Sequence, residues 1–354
     1  MTEGLATPGA GWRRADGPSA EARGKRRRRG GRRGGGGEVA MVDDAQFTSY
    51  YGRPIIKPPV WKSPDVPLYL FLGGMAGSSS ILAAVADVTG RPSLTRTARY
   101  TAGGGAIASV VFLIHDLGRP ERFLHMLRVF KPTSPLSVGS YILAPFGAAA
   151  GATAAVELLG WFPRLKRFGG VVSALFGGPL ATYTAVLLAN TAVPSWHAAH
   201  DELPFVFGGS AMAAGGGVTM LFTPVAEAGP SRRTAVAGAA IELAVMHRVE
   251  SGHGIVSEPY HEGRPGTLLR IAKGCTAAGA ALTVVAGRRR AGAVVAGVLL
   301  AAGSLLTRFG VFEAGLVSAR DPKYTVVPQR ERLAAKEAAE QAAKQNGHAP
   351  TVTR

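Results

Sequence analysis

The side chains best suited to chemistry lie together in HDLGRPERFLHMLRVFKPTSPLSVGSYIL, residues 115–143. His115 and Asp116 end an apolar run, and Arg119 follows Asp116 at a spacing that allows an ion pair on a helix. Ionisable groups at the mouth of a membrane helix bundle are candidates for receiving and conducting protons. We therefore predict that His115, Asp116 and Arg119 transfer protons. The structural alternative is that Asp116 and Arg119 cap the helix and reach the lipid head groups.

Two more carboxylates lie in apolar stretches of the sequence. A charged side chain at the centre of a membrane helix costs about 2.5 to 3.5 kcal/mol on insertion scales. Glu242, within AAIELAVMHRV, is deep enough for that cost and is predicted to be a proton relay, with a structural hydrogen bond to a neighbouring helix as the alternative. Glu157 is the second relay candidate, although it lies near the end of its segment and is expected to reach the interface.

The loop PSWHAAHDELP, residues 194–204, combines four polar groups: His197, His200, Asp201 and Glu202. The histidine spacing permits a metal site, but the loop lacks the HExxH pattern and any thiolate. We predict no metal here and a docking surface for a partner subunit instead. Trp196 is expected in the aromatic belt at the membrane interface.

Composition narrows the class of protein. Charged residues are 18% of the 354 residues, against about 25% in typical soluble proteins, and the mean hydropathy is +0.15. These values indicate a membrane protein with polar ends. Cys275 is the single cysteine, so this chain alone cannot build an iron–sulfur cluster, a thiolate zinc site or an internal disulfide.

The net charge of +17 does not indicate a nucleic-acid partner. Residues 1–40 hold ten basic and four acidic residues, so about a third of the surplus lies in one Gly/Arg-rich tail. Residues 1–45 are predicted to be disordered. A polybasic segment that touches anionic lipid and a translation start at Met41 are the two alternatives for this tail. Residues 46–66 are predicted to be an extended segment on the membrane surface, 67–309 the membrane domain, and 310–354 a polar C-terminal tail.

The elements that must position these residues are apolar segments of about 20 residues, the length that crosses a membrane. They predict an all-α protein with eight transmembrane helices in two four-helix bundles. An amphipathic helix after Pro120 is predicted to lie in the interface, between the second and third spans. Small residues spaced as GxxxG, at Gly73 and Gly77 and at Gly147 and Gly151, are predicted to pack helices closely. The spans are 67–88, 98–116, 136–159, 168–191, 203–223, 232–249, 267–286 and 291–309.

An even number of spans places both termini on the same side. Fourteen basic residues near span ends lie on that side and eleven on the other. By the positive-inside rule we expect both termini in the cytoplasm.

Residues 46–333 resemble the NrfD/polysulfide reductase membrane-subunit family. The resemblance rests on YYGRPIIKPPVW, PLYLFLGGMAGSS, the block from DLGRPERF to SPLSVGS, and VFEAGLVSARDPKYTVVPQRERL. It implies an eight-span subunit of a bacterial plasma membrane that carries no haem or iron–sulfur cluster itself. Such a subunit binds menaquinone or ubiquinone beside a four-cluster iron–sulfur subunit, which exchanges electrons with a molybdopterin catalytic subunit.

The resemblance also gives the candidate residues a role. Acid–base groups must lie within about one hydrogen bond or one water of the quinol oxygens, and His115 and Asp116 are the candidates. Tyr183 and Asn190 of the fourth span are expected to hydrogen-bond the quinone ring, and Ser134 and Tyr141 complete the predicted ring-binding set. Some family members place polar ring-binding groups in the first span, where this chain offers Ser78 to Ser80.

Two other classes of function remain open. A haem b cytochrome requires axial histidines within the membrane, but His115 and His247 lie at span ends. A secondary transporter requires broken helices near the midplane. The glycines Gly208, Gly209 and 215–217 of the fifth span are candidates for such a break.

Overall fold

The computed structural model describes residues 54–119, 121–160 and 162–345, and in these ranges it contains helices and no strands. The tail 1–45, the alternative start at Met41, residues 46–53 and Pro120 lie outside the described residues. The α-helices are α1 Asp65–Val88, α2 Pro92–Leu117, α3 Glu121–Met126, α4 Pro135–Leu159, α5 Pro163–Ala189, α6 Pro194–Ala198, α7 Leu203–Phe222, α8 Gly229–Ser251, α9 Gly263–Ala286, α10 Arg290–Arg320 and α11 Lys323–Gln345. A 3-10 helix, Gly254–Tyr260, joins α8 to α9.

Seven of the described helices are long and apolar enough to cross a membrane: α1, α2, α4, α5, α7, α9 and α10. α8 has 23 residues but is more polar, because Arg232, Arg233, Glu242 and Arg248 lie within it. Each predicted span overlaps one of these eight helices. The class of polytopic helical membrane protein is therefore confirmed, and the crossing by α8 stays a prediction.

The helix boundaries differ from the predicted ones where the sequence turns polar. α2, α4 and α5 begin at Pro92, Pro135 and Pro163, where proline suits a first helical turn. α10 continues eleven residues past the predicted end at 309, into the region predicted as a polar tail. It does so because Val311 and Phe312 are fully buried and extend the packed face of the helix.

The amphipathic helix predicted between the second and third spans, with Phe123 to Phe130 on one face, is shorter in the structure. α3 has six residues, none of them buried, and ends at Met126. Phe130 therefore lies beyond the helix, where its ring contacts the ring of Tyr141 edge-on at 4.9 Å. Whether this segment lies in a membrane interface remains a prediction.

Helix contacts form two groups. α1 packs on α2 and α5, and α4 packs on α2 and α5; α7 packs on α8 and α10, and α9 packs on α8 and α10. The two groups meet where α1 and α5 contact α7. The two-bundle arrangement in a membrane stays a prediction.

The connections lie at two ends of this assembly. At the first, which we call the His115 end, Lys62 contacts Asp116 and His253 contacts Glu202. At the second, which we call the Arg91 end, Ser93 contacts Glu227. The His115 end comprises residues 54–65, 115–119, 121–135, 189–203, 251–263 and 320–323, and the Arg91 end comprises 87–93, 159–160, 162–163, 222–233 and 286–290.

Glycine brings α1 and α5 together. A Cβ at Gly77 would lie 2.3 Å from the carbonyl oxygen of Gly177, so neither helix could approach as closely with a larger residue. In contrast, Cβ atoms at Gly147 and Gly151 would meet no neighbour within 4 Å. The packing prediction is therefore right for Gly77, whereas Gly147 and Gly151 pack on nothing described in this chain.

Candidate functional site

His115 is placed at the end of α2 by a contact with the start of α1. Its Nδ1 lies 2.7 Å from Oδ2 of Asp65, in the first turn of α1. The His115 side chain is 71% exposed, whereas that of Asp65 is 7% exposed. The pair therefore connects a buried carboxylate with the surface of the His115 end.

Asp116 has a different partner from the one predicted. Its Oδ1 accepts a hydrogen bond from the backbone N–H of Lys62 at 2.8 Å, and Nζ of Lys62 donates to the carbonyl oxygen of His115. Among the described residues, Asp116 and Arg119 form no ion pair, because the helix ends at Leu117 and Gly118 turns the chain with a φ of 72°. Asp116 instead ties the segment before α1 to the end of α2.

Tyr183 and Asn190 lie in one cavity, as their shared helix suggested. The cavity has a volume of about 480 Å³, and residues of α4, α5 and the segment before α4 line it. Tyr183 is buried against α4, where its ring occupies the space that a side chain at position 139 would fill. Asn190 ends α5 and is exposed. The other lining residues are Pro132, Thr133, Pro135, Val138, Ile142, Pro179, Thr182 and Val186.

A polar connection runs from this cavity to His115. The side chains of Tyr183 and Tyr69 interact electrostatically, and Tyr69 is buried in α1. Tyr69 follows Asp65 by four residues, which places both on one face of α1. Tyr183, Tyr69, Asp65 and His115 thus form a series of polar groups from the cavity to the surface.

Asp65 and Tyr69 were missed by sequence reasoning, which began the first span at 67. The signal was present in DVPLY, where an aspartate in a first helical turn precedes a tyrosine by four residues. Ser78 to Ser80, the candidate ring-binding groups of the first span, do not line the cavity of Tyr183. Ser80 donates to carbonyl oxygens of Gly77 and Ser173, and Ser78 lines a separate groove near Arg91.

Ser134 and Tyr141 do not line the cavity of Tyr183. Ser134 is the residue before α4 and lines a neighbouring cavity of about 250 Å³ together with His125. The hydroxyl of Tyr141 donates to the carbonyl oxygen of Leu127 at 2.9 Å. Tyr141 therefore fixes the segment between α3 and α4.

Glu242 lies in a buried polar cluster between α7, α8 and α10. Its Oε1 accepts a hydrogen bond from Thr307 at 2.6 Å, and its Oε2 has no hydrogen-bond partner among the described residues. The fully buried Arg308 interacts electrostatically with Glu242 and donates to the carbonyl oxygen of Phe207 at 2.9 Å. Its guanidinium also lies 3.8 Å from the centre of the Phe207 ring.

Glu157 lies in an ion-pair network near the Arg91 end. Its carboxylate is 2.8 Å from Arg99, 3.3 Å from Lys166 and 3.5 Å from Arg96. Arg99 also contacts Asp87, so the network joins α1, α2, α4 and α5. This geometry supports a structural role more directly than the predicted relay.

The loop 194–204 is held by its tryptophan. Trp196 is fully buried, donates to the carbonyl oxygen of Val311 at 2.7 Å and stacks on Trp61. The ring faces the protein interior, where Gly315 leaves room for it, and its place in an aromatic belt stays a prediction. His197, His200 and Asp201 lie beyond it, and no group of three potential metal-binding side chains occurs in the described part of the chain.

α7 is continuous through its glycines. Gly209 faces the backbone of Glu242 in α8, and Gly215 faces Ser78 in α1. These glycines permit close packing, so α7 lacks the break that the transporter alternative required.

Comparison with known proteins places the chain in a family. A family model of the NrfD type, described as polysulfide reductase, matches residues 47–320. No curated protein matches the chain. The matched range includes all the groups from Asp65 to Tyr183 and both helix groups, which agrees with the resemblance seen in the sequence. The chain therefore belongs to the NrfD-type polysulfide reductase family, a family of membrane subunits of oxidoreductase complexes.

Proposed function

We propose that this subunit exchanges electrons between the quinone pool and a partner iron–sulfur subunit of a molybdopterin enzyme. Menaquinone or ubiquinone is the proposed substrate. In this proposal all eight long helices cross a bacterial plasma membrane in two four-helix groups, and both termini face the cytoplasm. The observation that carries the proposal is Tyr183, which lines an apolar cavity and also belongs to the polar series leading to His115.

The cavity fits a quinone head group. Its volume of about 480 Å³ lies in the range of about 300 to 1,000 Å³ typical of small-molecule sites. The lining is mainly apolar, and the polar groups of Tyr183 and Asn190 supply hydrogen bonds of the kind that orient a ligand. A flat ring with two oxygens and an apolar tail matches this arrangement.

The protein's own groups then have distinct tasks. Bound quinol supplies two electrons and two protons. The Tyr183 hydroxyl, which interacts with Tyr69, donates or accepts a hydrogen bond at the cavity. Asp65 Oδ2 and His115 Nδ1, 2.7 Å apart, hold a proton between the interior and the exposed imidazole.

Asp116 and Arg119 act differently in this proposal. Asp116 positions Asp65 indirectly, because it binds the backbone of Lys62 three residues earlier. Arg119 is exposed at the same end and adds positive charge near the surface, where a partner subunit would dock.

The test is the substitution Tyr183→Phe in the complete complex. It removes the hydroxyl and keeps the ring, and we expect quinone-linked turnover to fall about 10²-fold. Turnover of the catalytic partner with an artificial electron acceptor should not change, and the subunits should still co-purify. The matched control is Tyr141→Phe, which removes a hydroxyl bound to Leu127 outside the cavity. Equal loss in both variants, or no loss in Tyr183→Phe, would exclude Tyr183 from the quinone site.

A further inference from the structure

A second cavity opens where the two helix groups meet. It has a volume of about 480 Å³ and lies between α1, α5, α7 and α8. Its walls are mostly apolar, from Ile81, Leu82 and Val85 on α1 to Met212 on α7. No part of the polar series from Tyr183 to His115 lines it.

The depth of this groove corresponds to one leaflet of a bilayer. On α1 the lining extends from Ser78 to Val85 and Thr89. At about 1.5 Å per residue, the distance from Ser78 to Thr89 is about 16 Å along the helix. A hydrocarbon core of about 30 Å has leaflets of about half that depth. The groove can therefore hold an acyl chain over most of its length.

Arginines lie at its outer end. Arg91 and Arg233 line the groove, and Arg232 interacts electrostatically with both of them and with Arg288. Among the described residues, none of these four arginines forms an ion pair with a carboxylate. Nε of Arg91 is buried without a hydrogen-bond partner. Four like charges in one place favour an anion among them.

The nearest carboxylate is that of Glu227, which interacts electrostatically with Arg91 but forms no ion pair with any of the four arginines. Glu227 accepts hydrogen bonds from the backbone N–H groups of Ser93 and Leu94 and from the Ser93 hydroxyl. Its carboxylate thus caps the start of α2, and Arg91 reaches only the Glu227 backbone oxygen, at 3.4 Å. The guanidinium groups keep donors for another acceptor.

We propose that this groove binds one anionic phospholipid, with its phosphate between Arg91 and Arg233 and an acyl chain along α1. Arginine matches phosphate in geometry and charge. Basic pockets between membrane helices are a recognised form of lipid head-group site. A quinone fits less well, because its ring carries no charge to balance the arginines. The lipid would join the two helix groups where α1 and α5 meet α7 and α8.

The experiment measures lipid retained by the purified full chain in nanodiscs containing equal amounts of phosphatidylglycerol and phosphatidylcholine. After transfer to detergent, native mass spectrometry should find one phosphatidylglycerol per chain. The double variant Arg91→Gln/Arg233→Gln should lower that retention about 30-fold. Arg164→Gln/Arg167→Gln, with the same change of charge at exposed positions near this end, should retain the lipid as the unmodified chain does.

A second variant tests the acyl-chain part independently. A Cβ at Gly178 would lie 3.9 Å from Ile81, in ordinary contact, so Gly178→Leu fills the groove without a backbone clash. It should also lose phosphatidylglycerol. Equal retention of phosphatidylcholine by the unmodified chain, displacement of phosphatidylglycerol by added menaquinone, or equal loss in the Arg164/Arg167 control would each overturn the proposal.

Discussion

Arg308 is a fully buried charge that its surroundings compensate in part, since its Nε and Nη1 have no hydrogen-bond partner among the described residues. It donates to a backbone oxygen, contacts the face of Phe207 and interacts electrostatically with Glu242. Glu242 in turn is bonded to Thr307. A buried charge is costly unless a counter-charge and hydrogen bonds compensate it, so each of the two charges depends on the other.

This dependence makes a prediction for single and double substitutions. Arg308→Leu should lower the free energy of unfolding by about 3–5 kcal/mol, because it leaves the Glu242 carboxylate buried without its counter-charge. Glu242→Gln combined with Arg308→Leu should recover much of that loss. Denaturation in mixed detergent micelles, followed by tryptophan fluorescence, measures both. If the double variant were as unstable as Arg308→Leu alone, the two residues would not be coupled.

At the scale of elements, α11 is held at its first turn. Lys323 Nζ lies 2.9 Å from Oε2 of Glu258 in the 3-10 helix, and Tyr324 is buried beside it. The hydrogen bond from Lys323 lowers the pKa of Glu258, and the bond to Glu258 raises the pKa of Lys323. Beyond this turn most of α11 is exposed.

The pKa shifts predict when α11 detaches. A lowered carboxyl pKa contributes stability that is present above the unfolded value of about 4.3 and is lost as the pH falls through the folded value. The raised lysine pKa contributes stability below about pH 10.4, which is lost as the pH rises through the folded value. The protection of backbone amides 323–335 against hydrogen exchange, relative to an unfolded chain at the same pH, should therefore fall below about pH 4.

Matched variants isolate the contact. Lys323→Gln should speed hydrogen exchange in this segment at neutral pH and reduce its acid dependence. Lys336→Gln removes a charge from an exposed pair with Glu340 within α11 and should change neither. An unaltered acid dependence in Lys323→Gln would show that another group controls the attachment.

Apolar length predicted the eight long helices, and proline positions account for several of their starts. Apolar length could not predict which face of a helix packs on protein, because lipid and the protein interior are both apolar. Trp196, for example, is buried inside the protein. The link from Tyr69 to Tyr183 depends on the close approach of α1 to α5 at Gly77 and Gly177, a contact between residues about a hundred positions apart.

At the scale of the whole molecule, the His115 end and the Arg91 end would present different groups to a partner subunit. The cavity of Tyr183 opens beside Asn190 and Thr133, and His115 lies at the same end. In the function proposed above, the iron–sulfur subunit would have to dock near this cavity to take electrons from it. The Arg91 end lies at the opposite ends of the same helices and carries the arginine cluster instead.

This difference predicts where the partner binds. A photo-crosslinking amino acid in place of the exposed His200, at the His115 end, should capture the iron–sulfur subunit in the assembled complex. The matched position is the exposed Arg289 at the Arg91 end, which should capture none of it. Mass spectrometry of the crosslinked peptides identifies the captured chain. Capture from Arg289 in place of His200 would put the partner a membrane's thickness from the Tyr183 cavity, too far for direct electron exchange, and the quinone site would then have to lie at the Arg91 end.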